Sequence, residues 1–265
     1  MLYTKFDHSS IFERDILDYL ALNTDSSKAF VYIVNFTHYK KNLRLLWECL
    51  SCEERDQAKK YYTTDLSDRY IMSHGILRYL LSYYTGQLPQ DIEFFHQEYG
   101  KPFLKNNNIQ FNTSHSHDLV SYIISPHYRV GIDVEWHDMT LDIGTLADLV
   151  FTPNEQRLVT KFKTMEKLKF FYNLWTTKES LIKASGQGLS YPINSIETMI
   201  LSPGQKICFD NKDSKFTQEW YYFPLEVVKG YSGAIAIEHR INEIVYLEMN
   251  NQSNVFSQIR SRCFN

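Results

Sequence analysis

The sequence predicts an α+β protein that is built from two similar halves, and three observations support this class. Strand-like segments rich in β-branched and aromatic residues alternate with longer segments whose apolar residues recur at helical spacing. The segments LRYLLSYYTGQ (77–87) and TKESLIKASGQ (177–187) align one hundred residues apart. Each is typical of a helix end closed by a glycine, and each precedes a turn and a strand. The two halves are therefore expected to meet near residue 128.

In the first half, the β-branched and aromatic content of residues 29–36 predicts a buried strand. Residues 40–62 and 65–84 carry apolar side chains at helical spacing, and Gly86 is placed to end the second helix. Residues 111–125 (FNTSHSHDLVSYIIS) are expected to pass from a polar loop into an apolar strand. This half is therefore predicted as a strand, two helices and a further strand.

In the second half, a strand is predicted at 130–136, and the sequence FTPNE at 151–155 suits a helix start with a capping box. A long helix is predicted at about 166–185, followed by two strands within 220–238. The predicted organisation is a first half at 1–128, a second half with the candidate metal site at 129–245, and a peripheral polar tail at 246–265.

Composition excludes several classes of protein. With 43% hydrophobic and 22% charged residues among 265, the chain is expected to be globular and not disordered. The 28 Lys and Arg against 31 Asp and Glu argue against a general nucleic-acid binder. The absence of a long apolar segment and of a secretory signal pattern predicts a cytoplasmic protein without a membrane span. The lone pair Cys49 and Cys52 is interpreted as two helix thiols, because a structural zinc needs four ligands.

Two acidic residues on the strand at 130–136 are the first candidates for chemistry. Asp133 and Glu135 are two positions apart and point to one face, whereas Ile132 and Val134 face a core. Two carboxylates on one face repel each other unless a cation, a proton or a basic group lies between them. A solvated strand face is the alternative interpretation.

The long helix of the second half adds a third carboxylate. Trp175, Glu179 and Lys183 are spaced four apart and share one helix face. A Glu four residues before a Lys is also a common stabilising surface pair. If Glu179 joins Asp133 and Glu135, the three oxygen donors suit Mg²⁺, which completes its shell with water and phosphate oxygens.

Two polar segments of the first half suit a phosphate group. Gly100 and Pro102 fix a tight turn that presents Lys101, and His115 lies among small hydroxyl residues that include Ser114. An ordinary exposed histidine is the alternative. A hydrolase pair of adjacent serine and histidine is not expected, because neighbours do not easily adopt nucleophile–base geometry.

The order of these motifs is more specific than any single one. The chain contains, in this order, the motifs YGKP, FNTSHS, GIDVE, FTPNE and WTTKESLIKASGQG. The resemblance that they carry extends from about residue 50 to 240. Together they resemble the Sfp-type 4'-phosphopantetheinyl transferases, for which GIDVE combined with W-x-x-K-E-x-x-x-K is highly specific. The resemblance implies a pseudo-dimer of two α+β halves with coenzyme A in the cleft between them.

The resemblance implies an enzyme that transfers the phosphopantetheine arm of coenzyme A to a serine of an acyl or peptidyl carrier protein. Adenosine 3',5'-bisphosphate is the implied by-product. Asp133, Glu135 and Glu179 are implied to hold Mg²⁺, with Mn²⁺ as an alternative; Glu179 is also implied as general base, and Lys183 as the group that neutralises the diphosphate. The residues implied to hold the nucleotide end are Arg69, Lys101, Ser114 and His115, with Arg69 and His115 near the 3'-phosphate.

The chain departs from the family pattern in the region implied to hold the nucleotide. Glu54 and Gln57 stand where members often carry Lys or Arg that reach the 3'-phosphate, and His117 replaces a glycine. We therefore expect the 3'-phosphate to be held more weakly or in a different way.

The implied partner is a small acidic helical carrier protein, and the enzyme is expected to be a monomer. Phe151, Phe170 and Phe171 are candidate apolar anchors for the carrier, although such aromatics are more often part of a core. Two other functions stay open: a catalytically silent scaffold for coenzyme A or a carrier, and an unrelated metal-dependent phosphohydrolase. The presence of all three candidate ligands and Lys183 weighs against the scaffold.

Overall fold

The computed structural model describes residues 27–188, 191–198, 202–209, 218–225, 227–249 and 259–263. Within these residues the α-helices are Leu43–Cys49 (α1), Cys52–Lys59 (α2), Thr64–Thr85 (α3), Ile143–Val150 (α4), Pro153–Val159 (α5) and Thr164–Ser185 (α6). The strands are Lys28–Asn35 (β1), Phe94–His96 (β2), Pro102–Leu104 (β3), Gln110–Ser116 (β4), Leu119–Ser125 (β5), Val130–Trp136 (β6), Gln205–Phe209 (β7), Gln218–Pro224 (β8), Tyr231–Ile237 (β9), Glu243–Met249 (β10) and Ile259–Cys263 (β11).

The strands are arranged in a five-stranded sheet of order β11-β10-β1-β5-β4, a hairpin of β2 and β3, and a four-stranded sheet of order β6-β9-β8-β7. The sequence predicted a peripheral tail after residue 245, but β10 and β11 are strands of the larger sheet. The polar loop predicted at the start of 111–125 is also wrong. Residues Gln110–Ser116 form β4, which pairs antiparallel with β5.

Residues 34–93 belong to one compact unit, which is mainly helical. The single helix predicted at 40–62 is divided into α1 and α2, because Leu50 adopts an extended backbone and Ser51 caps α2 through a capping box with Glu54. The backbones of α1 and α3 approach closely, since a Cβ on Gly75 would lie 2.6 Å from the carbonyl oxygen of Leu46. Gly86 ends α3 in the left-handed conformation, as predicted.

Residues 27–33 and the described residues within 94–246 belong to a second compact unit, which contains the predicted acidic strand and long helix. Strand β6 pairs antiparallel with β9, and Ile132 and Val134 are fully buried in a core with residues of β9, as predicted. Helix α6 lies directly against β6. A Cβ on Gly131 would be 2.0 Å from the Ser180 carbonyl oxygen, so only glycine permits this approach.

A second core in this unit lies between α4, α5 and the first half of α6. Phe151 and Phe171 are each only 1% exposed there. The prediction that these two residues anchor a carrier protein is therefore wrong, and their burial shows them to be core residues. The boundary near residue 128 stays a prediction.

Two smaller predictions are confirmed. Cys49 and Cys52 are free thiols that lie at the end of α1 and the start of α2. Thr152, Pro153 and Glu155 begin α5 with a complete capping box. Among the described residues, no helix is both long enough and apolar enough to cross a membrane.

Candidate active site

The candidate site is formed where α6 crosses the polar face of β6. Lys183 of α6 donates to Asp133 Oδ1 over 2.6 Å and to the hydroxyl of Ser114 over 3.0 Å. Ser114, which lies on β4, donates in turn to the same carboxylate oxygen over 2.8 Å. The fold thus joins three residues that the sequence had assigned to separate motifs.

The second carboxylate oxygen of Asp133, Oδ2, differs from the first in its hydrogen bonding. Asp133 is 2% exposed, and its Oδ2 atom is buried without a hydrogen-bond partner among the described residues. A buried carboxylate oxygen without a donor is costly, because it loses its hydration and gains nothing in exchange. The atom is therefore available to a ligand.

Burial raises the pKa of all three predicted metal ligands. Burial raises the pKa of Asp133, against the opposing effect of Lys183. Burial also raises the pKa of Glu135 and of Glu179, and in both cases the charge of Asp133 raises it further. The three carboxylates are therefore electrostatic neighbours with too little positive charge among them.

The oxygen atoms of these three carboxylates can be compared with the ligands that a divalent cation requires. Within the described part of the chain, no three His, Cys, Asp or Glu side chains are grouped so that they hold an ion as they stand. The unpartnered Asp133 oxygen and the raised pKa values are nevertheless what a set of hard oxygen ligands shows without its cation. The donor set fits Mg²⁺, and the metal site stays a prediction.

The residues predicted to bind the nucleotide do not all lie at the acidic site. Ser114 lies in the site, but His115 is its neighbour on β4 and is exposed on the opposite face. Lys101 donates to the backbone carbonyl oxygens of Val130 and Ala184. Ser114, His115 and Lys101 keep their predicted nucleotide role only as a prediction.

Arg69 belongs to the other compact unit, in which it lies on α3. Its Nε donates to Asp65 over 2.7 Å, and its guanidinium lies 5.4 Å from the ring centre of Phe36. The hydrogen bond and the charge of Arg69 lower the pKa of Asp65. Its role toward a 3'-phosphate also stays a prediction.

The structure explains two of the departures from the family pattern. Glu54 accepts from the backbone of Ser51 in the capping box and is ion-paired with Arg78, which is buried. The carboxylate of Glu54 therefore caps α2 and neutralises the buried charge of Arg78 within the helical unit. His117 adopts the left-handed backbone (φ 51°) in the tight turn between β4 and β5, where a glycine is usual, and its ring stacks on Trp136 at 5.0 Å.

Sequence reasoning missed Ser116, which donates to Glu135 over 2.7 Å and so orients the second acidic residue. The signal was present in the alternation Asn-x-Ser-x-Ser, which places three small polar side chains on one face of a strand. The motif was interpreted as a loop, and in a loop that alternation has no meaning.

Sequence reasoning also missed the role of Lys178. This lysine and Glu155 are both fully buried and are joined by a 2.5 Å ion pair. The two oxygens of Glu155 accept further hydrogen bonds from the backbone N–H groups of Thr152 and Thr198. Lys178 therefore ties α6 to α5 on the side away from the neighbouring Glu179.

A polar chain continues from the site along the same sheet face. Ser232 is the cross-strand partner of Glu135; it donates to Asn173 over 2.6 Å and lies 2.9 Å from the Nε2 atom of His137. A groove of about 490 Å³ opens beside Ser232, with Lys169 on its wall. The groove is lined by Ser232 and Asn173, and Asp133, Glu135 and Glu179 are not among its lining residues.

Two family models match the chain. Residues 129–236 match the 4'-phosphopantetheinyl transferase superfamily, and residues 35–127 match the N-terminal part of 4'-phosphopantetheinyl transferases. The two matches adjoin, one for each predicted half, and confirm the α+β class of two halves.

Individual relatives carry the same name. The chain is 32% identical over 193 residues to the 4'-phosphopantetheinyl transferase Sfp of Bacillus subtilis, which covers 72% of this chain and 83% of that protein. It is 30% identical over 169 residues to HetI of Nostoc sp., covering 62% and 71%, and 35% identical over 146 residues to gsp of Aneurinibacillus migulanus, covering 55% and 60%. Identity of this extent, together with the family match over residues 129–236, which contain the acidic strand and the long helix, shows that the chain belongs to the 4'-phosphopantetheinyl transferase family and is an enzyme of that activity.

Proposed function

We propose that this enzyme moves the phosphopantetheine arm of coenzyme A to a serine hydroxyl of an apo carrier protein, in a Mg²⁺-dependent reaction. The serine oxygen forms a bond to the phosphorus that bears the pantetheine. The bond between that phosphorus and the bridging oxygen breaks, and adenosine 3',5'-bisphosphate leaves with the bridging oxygen. The single observation that supports this proposal best is the contact of Lys183 with Asp133 beside a carboxylate oxygen that lacks a partner.

The residues of this site meet the main requirement of phosphoryl transfer, which is charge neutralisation with in-line positioning. Lys183 is already fixed by Asp133 and Ser114, so its ammonium group needs little reorganisation to face a phosphate oxygen. Glu179 is placed one helical turn before Lys183. Its raised pKa makes it a better proton acceptor for the incoming serine than an exposed carboxylate would be.

Asp133, Glu135 and Glu179 would hold the cation. When bound, it would neutralise charge on the diphosphate oxygens. Ser116 keeps the Glu135 carboxylate oriented by its 2.7 Å hydrogen bond. Ser114 does the same for the Oδ1 atom of Asp133, which leaves the Oδ2 atom for a ligand.

The proposed partner is a small acidic carrier protein, and the enzyme is proposed to act as a cytoplasmic monomer. Apolar side chains that suit a docking helix are exposed between α4 and the start of α6: Leu149 is 63%, Phe162 38% and Met165 58% exposed. They take the place of Phe151 and Phe171 as candidate anchors.

The experiment that tests this function is mass spectrometry of apo carrier proteins after incubation with the enzyme, coenzyme A and Mg²⁺. We expect a mass gain of one phosphopantetheine on the carrier, with adenosine 3',5'-bisphosphate in solution and no reaction after chelation of the metal. Tight binding of coenzyme A without a mass gain would support a scaffold. Free phosphopantetheine with an unchanged carrier would indicate a hydrolase.

A further inference from the structure

Strand β6, which carries Asp133 and Glu135, is an edge strand of its sheet. It pairs with β9 on one side only. In an antiparallel pair the backbone groups of alternate residues point away from the partner strand. Such groups must find other partners when they are buried, because an unpaired buried N–H or carbonyl is costly.

Three N–H groups on this free edge are bonded to side chains of β4. Alternate residues of β6 donate to alternate residues of β4 that are twenty positions earlier: Ile132 to Asn112 Oδ1 (3.0 Å), Val134 to Ser114 Oγ (3.3 Å) and Trp136 to Ser116 Oγ (3.0 Å). The polar face of β4 therefore takes the place of a neighbouring strand.

Two carbonyl groups of the same edge are bonded to lysines. The Val130 oxygen accepts from Lys101 over 3.0 Å, and the Ile132 oxygen from Lys183 over 3.4 Å. Lys101 also donates to the Ala184 oxygen over 2.9 Å. Ala184 lies in the last turn of α6, where backbone carbonyls lack helical partners.

Lys101 therefore joins the start of β6 to the end of α6. The two elements are already in van der Waals contact at Gly131, where no Cβ fits. Ala184 is the next residue after Lys183, and Val130 is three residues before Asp133. A shift of either backbone at this junction would move the ammonium of Lys183 relative to the carboxylate of Asp133.

We propose that Lys101 and Asn112 are positioning residues of the transferase, and that they hold the free edge of β6 so that Asp133 and Glu135 face α6 in register. Their bonds to β6 and α6 go to backbone atoms, which separates them from Ser114 and Ser116, whose hydroxyls also bond to the carboxylates. This inference rests on the proposed function, because the register matters only if those side chains carry the reaction.

The test compares substitutions that remove these bonds with matched controls in the full-length enzyme. Lys101→Met keeps the length of the side chain without its donors, and Asn112→Leu keeps the size without the acceptor oxygen. Asn112→Asp retains an oxygen at the same position. Lys105→Met and Asn108→Leu are the controls, since both residues are exposed just before β4.

The readouts are kcat and KM in carrier loading, the dissociation constant of coenzyme A by calorimetry, and thermal unfolding. For Lys101→Met and Asn112→Leu we expect kcat to fall about tenfold to a hundredfold, because misplacement by about 1 Å has that effect. The affinity for coenzyme A should stay near the wild-type value. Asn112→Asp should recover most of the lost kcat, and the two controls should match the wild type.

Wild-type kcat in folded Lys101→Met would overturn the inference, and so would weaker binding of coenzyme A at unchanged kcat, which would make Lys101 a nucleotide ligand. If Asn112→Leu fails to fold, Asn112→Ala replaces it, with the same decrease in kcat expected and an unchanged kcat as the refuting result. Failure of the wild-type enzyme to load any carrier would instead overturn the proposed function, and this inference with it.

Discussion

The two oxygens of Asp133 have different environments, and this difference determines what the residue can do. Oδ1 accepts hydrogen bonds from Lys183 and Ser114, whereas Oδ2 is buried and has no partner in the part of the chain that the structure describes. One oxygen therefore fixes the orientation of the carboxylate and leaves the other for a ligand. A solvated strand face, the alternative considered for this residue, is excluded by its burial.

Replacing the acidic groups by their amides tests the site at the level of single atoms. Asp133→Asn and Glu179→Gln should each lower kcat by about a hundredfold or more, since an amide neither accepts the serine proton nor carries the charge. The measurement is carrier loading followed by mass spectrometry, with circular dichroism to verify the fold. Glu93→Gln, at an exposed carboxylate, serves as the control. Near-normal turnover in either site variant would contradict the assignment.

Lys183 is expected to act mainly on the chemical step. Lys183→Ala should decrease kcat by about a hundredfold with a smaller effect on the KM for coenzyme A, because its charge matters most as negative charge develops on the leaving group. Steady-state kinetics at varied coenzyme A concentration measures both constants. A change confined to KM would show that the lysine binds the ground state only.

Helix α6 performs different tasks on its different faces. Successive residues on a helix are separated by about 100°, so Lys178 and Glu179 point in different directions although they are adjacent. Lys178 is buried against Glu155 of α5, and Glu179 belongs to the acidic site. The motif W-x-x-K-E-x-x-x-K therefore combines a lysine in a buried ion pair, Lys178, with Lys183, for which we propose a chemical role.

The buried ion pair is expected to be fragile when only one partner is removed. Lys178→Met should lower the free energy of unfolding by about 3–5 kcal/mol, because it leaves the charge of Glu155 buried without a counter-ion. Urea unfolding measures this loss. The double variant Lys178→Met/Glu155→Gln should recover part of it, and Lys59→Met, in an exposed pair with Asp56, should change little. An equal loss in the single and double variants would refute the explanation.

The Lys101 bridge between β6 and α6 predicts a dependence of stability on pH. Burial lowers the pKa of Lys101 from 10.5 to about 7, with Arg129 lowering it further and Glu238 opposing. Between these two pKa values the unfolded chain binds a proton that the folded chain does not, so the stability contributed by this group rises with pH.

The measurement is urea unfolding of the wild type and of Lys101→Met between pH 7.5 and 9.5. The free energy of unfolding of the wild type should increase relative to the variant across this range. Lys105→Met should show no such trend. A constant difference between wild type and Lys101→Met would mean that the ammonium keeps its ordinary pKa.

At the scale of the whole molecule, folding and ligand binding should be linked through the acidic site. Three carboxylates whose pKa values are raised by burial, and in Glu135 and Glu179 also by the charge of Asp133, destabilise the fold unless a cation offsets their charge. A ligand that binds only the folded state raises the melting temperature by mass action. This linkage can be measured without turnover.

Mg²⁺ together with coenzyme A should raise the melting temperature of the wild type, by about 2–4 °C for each kcal/mol of binding. Glu135→Gln should lose most of this increase, because one of the oxygen ligands becomes neutral. Glu98→Gln, at an exposed carboxylate, should keep it. An unchanged increase in Glu135→Gln would remove this residue from the cation site.

The sequence pattern correctly predicted those elements that are determined by neighbouring residues along the chain. The long helix was predicted at 166–185 and is found at Thr164–Ser185, and the capping box of α5 follows from its Thr-Pro-x-Glu spacing. The prediction failed at β4, because a strand of alternating small polar residues lacks the apolar pattern that marks a strand. It also failed at Leu50–Ser51, where a serine cap divides a helix that periodicity alone would continue.

The sequence by itself determined the family, the α+β class and the identity of the acidic and basic residues, because those depend on residue type and on spacing along the chain. Only the tertiary structure decided which of them meet. In the structure, Ser114 and Lys183 both donate to one oxygen of Asp133, and Ser116 donates to Glu135. Lys101 donates to two backbone carbonyl oxygens, and Phe151 and Phe171 are buried. The physical reason is that hydrogen bonds and burial depend on distances between segments far apart in sequence, which local periodicity does not contain.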